Sequence, residues 1–263
     1  MKYKITDETI KYLGKTLHRI EALCTFDDVK IGNKGGFIES ENNLSQEGTC
    51  WIYNNAKVLE KAVISGNARI YDNVVIRGNA LIYDNAEVTI RAAVRGDAKI
   101  YGNAYINGNV IITDEAQVYD NASIKDNAII RGNAKVYGYA EISGNSYIRD
   151  YVEIYENAII KDWSHIYGKA KVSNYAVIFG NAQIKDVTIR EISDYIVFKN
   201  WWSSGRYFTW TRSNNMWNVG CFYGTGEELI AKAYKDSESS GREYERIVKY
   251  VESILIENNE SIK

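Results

Sequence analysis

Proline is absent from this chain of 263 residues, and cysteine, methionine and histidine number only three, two and two. Without proline, reversals of the backbone fall to glycine, asparagine and aspartate, which accept the positive φ of tight turns at low cost. Cys24, Cys50 and Cys221 are odd in number, far apart and in no metal-ligand spacing, so they read as free thiols and not as a disulfide framework or a zinc site. Basic and acidic residues nearly cancel, 32 against 34. The positive excess of a general nucleic-acid or membrane-surface binder is therefore missing. No run approaches the length of a membrane span, and the start, Met1-Lys2-Tyr3-Lys4-Ile5-Thr6-Asp7, has no apolar signal core, which makes the cytoplasm the expected location. A phosphate loop, a nucleophile elbow and a metal cluster are also missing, so no cofactor and no metal is expected.

What is present is a repeat. From Ile52 to Ile184 every sixth residue is Ile or Val, for 23 consecutive positions. The residue four places later is small or short throughout, Ala at most sites, Val at Val74, Val110 and Val152, Ser at Ser146 and Ser164, Thr at Thr188. The unit is [IV]-x-[GDN]-N-A-x, as in Ile82-Tyr83-Asp84-Asn85-Ala86-Glu87. Neither a helical period nor hairpin alternation yields a strict six. A coil with three flat sides does: one branched aliphatic per hexad fills the interior, a small residue fits the inner corner, and Gly, Asp or Asn stands where the backbone bends. This is the signature of a left-handed parallel β-helix with three hexads per turn, so residues 52–189 should form between seven and eight turns with no protruding loop.

The flanks are different. Residues 1–51 read as an N-terminal β cap, with a hairpin of Thr9-Ile10-Lys11-Tyr12, a Leu13-Gly14-Lys15 turn and Thr16-Leu17-His18-Arg19-Ile20, because an open coil end exposes unpaired strands and an apolar core. Residues 190–263 read as a small α+β domain. Three short strands, Tyr195 to Asn200, Arg206 to Arg212 and Met216 to Phe222, are separated by Ser203-Ser204-Gly205 and Ser213-Asn214-Asn215 turns. Thr225-Gly226-Glu227-Glu228 has capping-box spacing and should start a helix. A second helix carries Tyr244, Ile247, Val248, Val251, Ile254 and Leu255 as one apolar stripe.

The opening Lys4-Ile5-Thr6-Asp7-Glu8-Thr9 and His18-Arg19-Ile20-Glu21-Ala22-Leu23, the Gly35-Gly36-Phe37-Ile38-Glu39-Ser40 and Asn43-Leu44-Ser45-Gln46-Glu47-Gly48 segments, and the tail Gly220-Cys221-Phe222-Tyr223-Gly224-Thr225 carry a resemblance. Together with the hexads they resemble a group of bacteriophage and prophage hexapeptide-repeat proteins, commonly labelled transferases on the strength of the repeat alone. The resemblance implies a phage or prophage setting and a role against a host or defence component. The Trp201-Trp202 pair departs from the group.

Eighteen residues per turn bring every third hexad into register, so outward columns can be read off. One carries Tyr83, Tyr101, Tyr119, Tyr137 and Tyr155, either a stabilising ring ladder or a binding strip. A second carries Arg77, Arg95, Thr113, Arg131 and Arg149 beside Val75, Ala93, Ile111, Ile129 and Tyr147. Aliphatics beside guanidiniums suit a subunit interface or docked segment as well as a solvated basic face, and Asp114 and Asp150 at the corners make nucleic acid an unfavoured partner. A third ends in Ile159, Val177 and Phe179, which with Trp163 and Tyr175 should receive the tail. The tail concentrates Trp201, Trp202, Tyr207, Phe208, Trp210 and Trp217, which either contact a partner, with Arg206 or Arg212 at the rim, or plug the coil end.

The expected function is a non-enzymatic binding protein or scaffold that contacts a protein partner or another copy of itself, with a small-molecule ligand as a further option. The alternative is a hexapeptide-repeat acyltransferase. Known members of that class pair a general-base His with a loop leaving the coil and a pocket at a subunit interface. Here the only outward-pointing base candidate is His165, beside the arginine column and Tyr167.

Overall fold

The computed structural model describes residues 1–202 and 204–260, and of the last six of these the backbone only. A β-solenoid of about eight turns occupies the middle of the chain. Strands of mostly two residues stack in parallel and in strict eighteen-residue register, as in Val75↔Ala93, Ala93↔Ile111 and Ile111↔Ile129. The repeated aliphatics from Ile52 to Ile184 are all fully buried, as are the corner alanines, in one continuous core. Ser146 and Ser164 fit the same corner because each hydroxyl donates to a carbonyl three residues back, of Ser143 and Lys161, at 2.7 Å. No buried side-chain polar atom among the described residues lacks a partner.

The third hexad position is left-handed at every turn, and its residue choice has a second cause. Where it is Asp, from Asp72 to Asp162, the carboxylate accepts a hydrogen bond from the backbone N–H one coil further on, usually that of a glycine. Asp114 receives Gly132 at 3.0 Å, Asp126 receives Gly144 at 2.9 Å, and Asp162 receives Gly180 at 2.9 Å. At the next position asparagine amides climb from coil to coil, Asn67 to Asn85 to Asn103 to Asn121, at 3.0–3.1 Å. Ile90 is an exception, a branched side chain held at φ 68°.

At the last coil the spacing shifts. Ile184-Lys185-Asp186-Val187-Thr188-Ile189 has lost the asparagine, so Ile189 pairs with Val172 after only five residues. Val187, and not Thr188 as the hexad predicts, takes the buried corner.

The hairpin is longer than its sequence cues: Tyr3–Tyr12 pairs with Lys15–Ala22 around a Leu13-Gly14 turn with both φ positive. A third strand, Lys34–Ile38, pairs antiparallel with the hairpin on one side and parallel with Lys57–Val58 on the other. The cap is thus continuous with one solenoid face. Ile10, Leu17 and Tyr12 fold over Phe37, Leu59 and Val75 at its lower end. Lys2 pins the other side: its buried ammonium donates to the carbonyl of Cys50 at 2.9 Å and to those of Glu47 and Gly48 at 3.3 and 3.4 Å.

The tail is a four-stranded antiparallel sheet, Tyr195–Lys199, Tyr207–Thr211, Met216–Val219 and Phe222–Gly224, followed by helices α1 (Gly226–Asp236) and α2 (Glu238–Glu260). The expected third strand is therefore two. Gly220, at φ 61°, makes a tight turn after Val219, and Val219 pairs back onto Phe222. Thr225 and Glu228 form the expected capping box, each side chain accepting the other's backbone N–H, at 3.3 and 2.9 Å. Tyr244, Val248 and Val251 of α2 are buried and Ile247 packs against them, whereas Ser203 and the Leu255 side chain lie outside the described residues.

Candidate functional site

The solenoid face that continues the cap sheet is covered at both ends and open between them. Below, the hairpin packs onto Val75. Above, the tail docks on the last rung: Asn218 Nδ2 donates to Tyr167 Oη at 2.6 Å, Gln183 N donates to Thr209 Oγ1 at 3.0 Å, and Tyr223 Oη donates to the Lys185 carbonyl at 3.3 Å. This corrects the expected docking surface in part, since Val177 and Phe179 do receive Tyr195 of the tail. Ile159, Phe179 and Tyr175 on the third face stay exposed. The tail sheet carries the polar side chains that match the free carbonyls and N–H groups of the last strand, which a purely apolar contact at Ile159 and Val177 would have left unpaired. Its first strand also closes the coil: Tyr195 is part of the solenoid core and donates to the Val177 carbonyl at 3.0 Å.

Between these brackets lies a groove of about 610 Å³ whose lining includes Arg95, Ile111, Ile129, Arg131, Tyr147 and His165. It runs into a second depression of about 470 Å³ that shares Trp163 and His165 and is walled on the tail side by Arg206, Tyr207 and Gly220. Asn109, Asn127 and Asn145 form one rim. Among the described residues no acidic side chain lines either depression, although Arg131 faces Asp114 at 3.6 Å and Arg149 pairs with Asp150 at 2.9 Å just outside.

His165 stands where the two depressions meet. Its ring meets Tyr147 edge-on, with centroids 5.5 Å apart. Although the residue is exposed overall, desolvation where its ring meets the groove floor, and then the positive charge of Arg149, hold its pKa below the ordinary histidine value. The imidazole is therefore neutral at pH 7 and able to accept a proton. Arg131 donates to Tyr147 Oη at 3.0 Å, and Arg149 lies over the Tyr167 ring at 4.5 Å. Arg95 and Arg206, at opposite ends, have no ion-pair partner among the described residues.

The structure thus brings together His165, Arg95, Arg131, Arg206 and Tyr207, with Arg149 adjacent. Arg77 lies under the cap end, 3.9 Å from Glu60. The five-tyrosine column is on a different face, its rings parallel within 7° and stacked at 4.8–5.1 Å. Trp210 and Trp217 leave the expected contact patch: both are only 2% exposed and pack in the tail core, because they point inward on strands that face α1 and α2. Trp201 and Trp202 are surface residues, 73% and 80% exposed, with Lys199 Nζ 4.1 Å above the Trp201 ring. Arg212 is exposed and anchored through its backbone N–H to the Asp194 carbonyl at 2.8 Å. Sequence reasoning missed Asn109, Asn127 and Asn145 as a rim, since they are unremarkable members of the repeat. It placed Trp163 with the third face, although its corner is shared with the groove.

No family model matches the chain. Over 51 residues it is 51% identical to a protein of Escherichia coli (strain K12) named "Uncharacterized acetyltransferase YdcK". That stretch is 19% of this chain and 16% of that protein, so the chain spans about a sixth of the relative it matches. No helix among the described residues is long and apolar enough to cross a membrane.

Proposed function

We propose that the protein is an acyltransferase whose reaction takes place in the bracketed groove, with His165 as general base. The observation that carries this reading is the place of His165, the one imidazole shared by two depressions rimmed by arginines. The local likeness to a protein named as an acetyltransferase supports it. In this reading His165 takes the proton from an acceptor amine or hydroxyl as it attacks the thioester carbonyl of an acyl donor. The positive field of Arg131 and Arg149 favours the oxyanion of the tetrahedral intermediate, and the imidazolium returns the proton to the departing thiolate. A coil without an inserted loop has to gain a wall for such a site elsewhere, and here the tail domain supplies one through Arg206, Tyr207 and Gly220.

The test is release of free thiol from acetyl-coenzyme A in the presence of amine acceptors. His165→Asn should lower the rate by about 10²–10⁴, the usual worth of a general base. An unchanged rate in that variant rejects the assignment. A second reading, a non-enzymatic scaffold that contacts a protein partner, is favoured by the exposed Trp201 and Trp202, which present apolar ring surface outside the groove. Loss of a partner on Trp201→Ala and Trp202→Ala, with no thiol release from the wild type, would support it.

A further inference from the structure

We infer that the acceptor is a polypeptide segment bearing two acidic side chains, bound in an extended form along the solenoid axis; this rests on the acyl-transfer reading above. The first observation is shape. Small-molecule sites enclose most of their ligand, whereas these two depressions lie end to end and stay open along one side between the cap and the tail. The second is length. Ala93, Ile111, Ile129, Tyr147 and His165 are successive rungs of one sheet, so His165 stands about 19 Å from the Arg95 rung at about 4.8 Å per rung. An extended chain covers that distance in about six residues.

The third observation is charge. Arg131 and Arg149 already have aspartates at 3.6 and 2.9 Å, whereas Arg95 and Arg206 have no ion-pair partner among the described residues, and they close the groove at its two ends. A guanidinium without a partner at an apolar-floored groove binds a carboxylate in a fixed, two-pronged geometry. The fourth is the rim. Asn109 donates to Asn127 Oδ1 at 3.1 Å, and the Asn127 NH₂ group and the whole Asn145 amide have no side-chain partner among the described residues. Side-chain amides in a row beside an apolar floor of Ile111 and Ile129 offer both donors and acceptors to a peptide backbone laid along them. The acceptor side chain, a lysine amine or a serine or threonine hydroxyl, then sits at His165, with one acidic residue beside it at Arg206 and the other about six residues away at Arg95.

Fluorescence anisotropy with a labelled peptide that carries Glu-Lys and a second Glu six residues further on separates this inference from the acyl-transfer reading, because it needs no turnover. Wild-type protein should bind the peptide and lose at least tenfold in affinity when both Glu are replaced by Gln. Arg95→Ala and Arg206→Ala should each weaken it by a similar factor, and Arg77→Ala, which lies outside the groove, should leave it unchanged. Equal binding of the Gln peptide, or weakening by Arg77→Ala as large as by Arg95→Ala, would overturn the inference. Binding without acyl transfer would uphold the peptide groove and reject the enzyme reading. Acyl transfer to free lysine amide with no peptide binding would do the reverse.

Discussion

At the residue scale, two side chains depart from what their neighbours would dictate. Ile90 is the one apolar side chain at the bend position that Gly, Asp, Asn and twice Glu otherwise hold, with φ 68° and 40% exposure. A branched residue in the left-handed region costs about 1–2 kcal/mol, and its exposed side chain regains little by burial. Ile90→Asp should therefore stabilise the protein by about 1 kcal/mol, since it relieves the strain and adds a carboxylate able to reach the Gly108 N–H as Asp126 reaches Gly144. Urea denaturation checks this, and a lower midpoint for the variant would contradict it. The other residue is His165. Its folded pKa lies below that of the unfolded chain, so the unfolded state binds more protons between the two values. Its contribution to stability is complete above about pH 6.5 and is lost as pH falls through the folded pKa. An NMR titration of the imidazole should give a midpoint below the ordinary value. Arg149→Ala should move that midpoint up only in part, because burial is the larger cause.

At the element scale, the hexad was legible because each position answers to one physical demand: an aliphatic for the interior, a small residue for the corner, and Gly, Asp or Asn for the bend. The ladder of carboxylates on glycine N–H groups was not, because it links residues eighteen apart and shows only once the coils are stacked. The split of the last tail strands was signalled by Gly220, whose positive φ reverses the chain in two residues. The tryptophans were misplaced for a definite reason. Alternation along a strand tells which residues share a face but not which face meets the helices, and here Trp210 and Trp217 meet α1 and α2. Trp217→Ala should then cost about 3–5 kcal/mol of tail stability while the solenoid keeps its far-ultraviolet signal. A variant as stable as the wild type would show that the ring is not core. Thr225→Ala, which removes the cap of α1, should cost about 1 kcal/mol in the same transition.

At the scale of the whole molecule, the cap and tail do more than close the ends of a rod. Both lean onto one face, and the stretch left between them holds the arginines, the aliphatic ladder and His165 that the sequence had placed in a column without showing what walled it. That the tail completes the core through Tyr195 implies that deleting residues 190–263 leaves an open coil end. The truncated protein should aggregate, whereas a version retaining residues up to 199 should be more soluble. Equal solubility and stability of the shorter form would show that the plug is dispensable. The groove's chemistry is tested most directly by the pH profile of acyl transfer by the wild type beside that of His165→Asn. The wild-type rate should rise with pH, with a midpoint at the pKa measured for the imidazole by NMR, and be flat by pH 7, and the variant should lose that step together with about a hundredfold or more in rate. A variant that turns over at the wild-type rate with the same pH step would contradict the account.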